Sequence, residues 1–176
     1  MPHLDFSKDC VLEDARVKLS PLKMEHIEAL LDISKEANLW TYFLEKGNGL
    51  ENLTKYISET VNNRKQAKEY PFIIFDKVKG RYAGTTRFYE YSSELKTIKL
   101  GHTWIGKFFR GTGLNKHCKY LLFEFAFETL NLESLENLKT VDISNNQDLV
   151  TLSIKNGKND TITSFISTGT PNLTCI

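Results

Sequence analysis

The residues with the most chemical content stand together in Arg110-Gly111-Thr112-Gly113-Leu114-Asn115-Lys116, between a strand-like run and a long amphipathic one. A helix that starts here leaves its first backbone N–H groups without carbonyl partners, beside roughly half a positive charge from the helix dipole. That combination favours a phosphate. Two glycines around one small residue allow left-handed backbone angles and let a ligand come close to the main chain. Two well-known phosphate loops are excluded. A Walker A loop needs Gly before its Lys and Ser or Thr after it, whereas Lys116 stands between Asn115 and His117. A dinucleotide fingerprint needs a third glycine where Lys116 stands.

Each residue also has a plainer reading. Arg110 and Lys116 are either phosphate ligands or solvated loop charges, and Gly111 and Gly113 either a binding loop or only a turn. Cys118, inside the apolar stripe Leu114, Cys118, Leu121, Leu122 and Phe125, reads as a core thiol.

The elements that must hold this loop follow from periodicity. Val17 and Leu19 alternate with Arg16 and Lys18 as a short strand, and Ser20-Pro21 offers cap chemistry for a helix bearing Met24, Ile27, Leu30 and Leu31. After Gly47-Asn48-Gly49, the spacing of Leu50, Leu53, Ile57 and Val61 predicts a second helix. Tyr70–Phe75 and Tyr82–Tyr91 read as a hairpin about Lys77–Gly80. Thr97–Ile105 extends the meander, with Ile98, Leu100, His102 and Trp104 expected on one face and Lys99, Gly101, Thr103 and Ile105 on the other. Leu135–Val141 is expected to be a strand parallel to the one before the loop, followed by a helix from Asn145 or Asn146 to about Asn156.

With 176 residues and 40% hydrophobic content, the chain suits one domain spanning 1–176. The 23 Lys and Arg against 22 Asp and Glu give no basic excess for nucleic acid or an anionic membrane. The first twenty residues lack an apolar signal core, and no apolar stretch nears the ~18 residues of a membrane span, so a cytoplasmic protein is expected. Cys10, Cys118 and Cys175 lack metal-ligand spacing, and no metal is expected.

Arg110-Gly111-Thr112-Gly113-Leu114-Asn115 resembles the Arg/Gln-x-x-Gly-x-Gly/Ala signature of the GNAT N-acetyltransferases. The wider phrase, G-H-T-W-I-G before it and L-L-F-E-F-A-F-E-T-L after it, is similar to the RimJ/RimL-type branch. The resemblance implies an α/β (α+β) fold, with a mixed, mostly antiparallel sheet, helices on both faces and a splayed parallel pair. It implies acetyl-CoA as co-substrate and acetyl transfer to a primary amine, either a protein N-terminus or a small molecule, by direct attack in a ternary complex.

Carried over by position, Arg110, Gly111, Thr112, Gly113, Leu114 and Asn115 fall at the pyrophosphate, and Lys116 either there or at the ribose phosphate. The backbone of Trp104 and Ile105 falls at the pantetheine arm and acetyl carbonyl. Asn145 is either a pantetheine contact or a helix cap. Glu90 and His102 are the candidate proton acceptors, with a solvated carboxylate and an edge or core imidazole as their plainer readings. Trp40 and Tyr42, with Phe43, either line the acceptor entrance or pack the core.

Two departures set a rival reading beside the enzyme. Lys99 stands where the branch commonly has Glu, and Asp148 where it tends to have Ser. The rival is a catalytically inactive GNAT-fold module that binds CoA or a partner. About 158–176 is an atypical tail in which Thr161–Thr168 supports one strand where relatives have two. The sheet is therefore expected to be left short by truncation or an altered reading frame, with an exposed edge that either another chain, as in a homodimer, or a bent tail would cover.

Overall fold

A computed structural model of the chain describes residues 4–131, 140–142 and 164–171. Five strands form one antiparallel sheet in chain order: β1 (Leu12–Glu13), β2 (Val17–Pro21), β3 (Glu69–Asp76), β4 (Arg81–Ser92) and β5 (Thr97–Ile105). Helices α1 (Ile27–Ser34) and α2 (Gly49–Lys65) cover one face, and α3 (Leu114–Glu124) covers the other. Two further strands, β6 (Thr140–Asp142) and β7 (Ser164–Ile166), pair in parallel with each other. No helix among the described residues is long and apolar enough to cross a membrane.

Burial on both faces explains why β3 reads as an unbroken apolar run rather than an alternating one. Tyr70, Phe72 and Ile74 join the core beneath α3 with Val17, Leu19, Leu114, Cys118 and Leu122. Ile73 points the other way, into a core with Leu30, Leu53, Ile57, Trp40 and Trp104. The hairpin between β3 and β4 turns where predicted, because Asp76 Oδ1 accepts the amides of Val78 and Lys79, each at 2.9 Å.

Three local expectations are corrected. Pro21 ends β2 instead of starting a helix, and the following 3₁₀ turn, Met24–His26, is capped at Lys23. Opposite Phe72 the strand needs a ladder on one side only, since β1 reaches no further than Leu19, so the missing proline N–H is tolerated. α3 gives way at Phe125 to a π-turn, Phe125–Thr129, so that Ala126 joins the buried stripe while Phe125 still packs against the core and stacks on Phe88.

The third correction bears on the site. Arg87 pairs with Gly101 and Thr85 with Trp104, so β4 advances two residues while β5 advances three. The extra residue is His102, held at φ +49°. Strict alternation therefore fails: Leu100 and Ile105 enter the core under α3, whereas Trp104 enters the opposite one. A bulge also increases the local twist. Of the strand expected beside β5, the described part is β6, which pairs with β7 and comes close to β5 without forming a hydrogen-bonded ladder with it.

Candidate active site

The turn after β5 is built to present backbone donors. Ile105 leads through Gly106 into a 3₁₀ turn, Lys107–Phe109, then the double-glycine bend and α3. Gly111 (φ +69°) and Gly113 (φ +82°) are both left-handed. A Cβ at either would meet no atom within 4 Å, so backbone conformation, rather than crowding, requires glycine at both. Gly113 caps α3, and its carbonyl receives the first helical bond from His117 N at 3.3 Å. The amides of Leu114, Asn115 and Lys116 precede that bond and are the helix's open donors.

Side chains brace the bend. Arg110 folds back so that its Nε donates to the Ile105 carbonyl at 2.8 Å, which ties the bend to the end of β5. Thr112 Oγ1 donates to the Phe109 carbonyl at 2.6 Å and receives Arg16 Nη2 at 3.4 Å. Arg16 is in turn held by buried Asp76, with Nη1 to Oδ1 at 2.5 Å. His117 Nδ1 lies 2.5 Å from Asp14 Oδ2. Lys116 is exposed at the mouth, while the side chains of Leu114 and Asn115 are buried beneath it. Lys79, stacked 5.0 Å over the Phe109 ring, adds a cation near the same turn.

Beneath the mouth is a polar cluster in which, among the described residues, no carboxylate bonds Lys119. Lys119, 3% exposed, donates to Thr103 Oγ1 at 2.7 Å and Thr86 Oγ1 at 3.4 Å, and the two hydroxyls are 2.8 Å apart. Desolvation pushes the Lys119 pKa down to about 8, opposed weakly by Cys118. One turn earlier on the same helix face, Asn115 is 6% exposed and its Oδ1 has no partner among the described residues.

On the opposite face Arg87 donates to Glu69 Oε2 at 2.5 Å and to the Tyr56 hydroxyl. Next to it His102 meets the Tyr89 ring edge-on, with centroids 5.1 Å apart. The residue is solvent-exposed at its surface, yet desolvation of the ring and then the Arg87 charge push its pKa down to about 4, with Glu69 pulling upward. Its imidazole is neutral at pH 7 and weakly basic. Glu90, at φ +48° near the end of β4, is exposed and its Oε2 lies 2.7 Å from Lys99 Nζ.

The candidates thus fall into separate groups. Arg110 through Lys116 and the end of β5 converge on one mouth. Glu90 and His102 lie along the β4–β5 pair. Trp40 and Tyr42 do not act together: Trp40 is 5% exposed, donates to the Ser34 carbonyl at 2.8 Å and packs 5.2 Å from Trp104, whereas Tyr42 is 71% exposed. Asn145, with the expected helix it would begin, lies outside the described residues.

Sequence reasoning missed Arg16, Asp76, Lys119 and the Arg87–Glu69–Tyr56 group. Only Lys119 carried a local signal, since it and Asn115 are four residues apart on the margin of the apolar stripe.

The model of the acetyltransferase (GNAT) domain family matches residues 16–147. No curated protein matches the chain in sequence. Among solved structures, a GCN5-related N-acetyltransferase from Brucella melitensis superposes with a TM-score of 0.64 at 17% identity, covering 70% of this chain and 57% of that one. RimL, a ribosomal L7/L12 alpha-N-protein acetyltransferase, gives 0.56 at 17% identity, covering 72% and 70%. The microcin C7 self-immunity acetyltransferase MccE, solved with acetyl-CoA and AMP, gives 0.51 at 19%, covering 63% and 62%. The chain spans less than two thirds of the length of the Brucella protein. Such identities speak to fold, and the fold agrees with the family match over most of the chain: this chain belongs to the GNAT acetyltransferase family.

Proposed function

We propose that the chain is an acetyl-CoA-dependent N-acetyltransferase of the RimJ/RimL type, working in the cytoplasm on a primary amine of a protein N-terminus or a small molecule. The observation that carries this reading is the left-handed Gly111 and Gly113 pair, which opens the first amides of α3 directly beside the end of β5. Those amides suit a diphosphate. The edge of β5 away from β4, which has no ladder partner among the described residues, suits the amide-bearing arm of the carrier, which would lie along it like an added strand.

In this reading the protein contributes mainly position. Arg110, braced on Ile105, supplies charge at the diphosphate, and Lys116 stands at the mouth. Backbone amides near Trp104 donate to the acetyl carbonyl as negative charge grows on its oxygen. Holding amine and thioester carbonyl in line removes much of the association entropy, so no covalent enzyme intermediate is required. The attacking amine must first lose a proton. His102 is neutral and open to accept it, though its low basicity assigns the net transfer to water.

A second reading is supported by a specific observation. Both candidate proton acceptors are handicapped, Glu90 by its pairing with Lys99 and His102 by desolvation of its ring and then by the Arg87 charge. A GNAT-fold module that holds CoA without turnover would tolerate this. Calorimetric titration with CoA and acetyl-CoA, followed by thiol release over a panel of peptides and small amines, separates the two. Binding with turnover supports the enzyme, binding without turnover on any amine supports the module, and no binding at millimolar ligand refutes both.

A further inference from the structure

A buried lysine without an anion is expensive unless its hydrogen bonds are satisfied. Lys119 has three protons and, among the described residues, two acceptors, both threonine hydroxyls. Asn115 has an acceptor oxygen, equally buried and without a partner. The two residues are one helical turn apart, which puts their Cβ atoms about 5–6 Å from each other. Their polar atoms do not bond one another. A donor that lacks an acceptor thus stands near an acceptor that lacks a donor.

A trans amide meets that demand. Its N–H and C=O point to opposite sides, so one amide can donate to Asn115 and accept from Lys119. The location agrees. Asn115 lies in the first turn of α3, whose open amides face the mouth, and Lys119 is anchored on Thr103, the residue before Trp104. An arm that entered at the bend and continued toward Thr103 would come to both. We propose that Asn115 Oδ1 and Lys119 Nζ together read one amide of the pantetheine arm, the oxygen accepting its N–H and the ammonium donating to its carbonyl. This rests on the coenzyme reading given above and adds to it a side-chain subsite on α3.

The test compares two ligands that share the phosphate end: CoA, and adenosine 3′,5′-bisphosphate, which has no pantetheine. Both are titrated calorimetrically into the wild type, Lys119→Met and Asn115→Leu. The expected result is a loss of roughly tenfold or more in CoA affinity in each variant, as for a hydrogen bond to a charged group. Bisphosphate affinity is expected to stay within twofold. Equal losses for both ligands, or no loss for either, overturn the proposal; the second outcome would mean that the cluster holds only a structural water. If the wild type binds bisphosphate but CoA no better, the subsite is refuted while the phosphate loop stands. If it binds neither, the coenzyme reading itself falls, and the subsite with it. Should a variant lack a cooperative melt, Asn115→Ala decides by the same comparison, because it leaves Lys119 bonded to Thr103 and Thr86.

Discussion

Replacing Lys119 with methionine should move stability and coenzyme binding in opposite directions. In the unfolded chain the amine titrates at its ordinary 10.5, and in the native state near 8. Between those values the unfolded state binds more protons than the native one, so wild-type stability gains with rising pH from this group. At ~1.4 kcal/mol per tenfold change in proton affinity, the full gain across the window is roughly 3 kcal/mol. Methionine fills similar volume without a charge to desolvate, and Thr103 and Thr86 still bond each other at 2.8 Å. The variant should therefore be the more stable protein at pH 7, and its advantage should shrink as pH rises toward 10.

Cys118 acts in the opposite sense. Burial pushes its pKa from 9.0 up to about 12, so the unfolded thiol ionises first and stability falls above pH 9. That contribution is common to both proteins and largely cancels in their difference. Urea unfolding of wild type and variant at half-unit steps from pH 7 to 9.5 gives the difference directly. A difference that stays flat over that range would refute the reasoning, because it would mean that the ammonium is not desolvated in the native state.

Further outcomes are open to measurement. Gly113→Ala should cost about 1–2 kcal/mol in chemical denaturation, since φ is +82° and space is open, whereas Gly113→Glu should abolish CoA binding in calorimetry by adding negative charge at the open amides. An unchanged affinity would contradict that placement. Gly84→Ala should destabilise the chain by more than about 3 kcal/mol, because the new Cβ would stand 1.9 Å from the Trp104 carbonyl oxygen and the β4–β5 ladder cannot part cheaply. A normal melting temperature would count against the packing described. For Asp14, desolvation raises the pKa, but bonds from His117 and from the Val17 and Arg16 amides outweigh it and leave the group below 3.8. Its contribution is present above that value and lost as pH falls through the lower native one. Asp14→Asn should therefore cost less than about 1 kcal/mol at pH 7 and flatten the acid limb of the melting curve. His102→Gln should leave the acid limb of the kcat/KM profile unchanged above pH 5, since His102 titrates near 4; a shifted limb would identify it as the group that must be unprotonated.

Local rules made much of the molecule legible in advance. The alternation of Val17 and Leu19, the apolar run of β3, the hairpin turn at Lys77–Gly80 and the double glycine before α3 are short-range signals, each set by backbone geometry within a few residues. Order along the chain was enough to bring Arg110–Lys116 next to the end of β5, because a strand, a tight bend and a helix leave no other arrangement.

What local rules do not carry is anything that depends on a residue far away in sequence. The bulge at His102 arises from the register between β4 and β5, and it alone decides that Trp104 and Leu100 face different cores. The burial of Trp40 depends on Trp104, Tyr56 and the Ser34 carbonyl meeting around it, which no spacing near Trp40 encodes. Lys119 reads in sequence as a wet charge at the edge of a stripe. Only the closure of β4 and β5 over α3 turns it into a dry ammonium held by two threonines, because desolvation is a property of the assembled packing and not of any one segment.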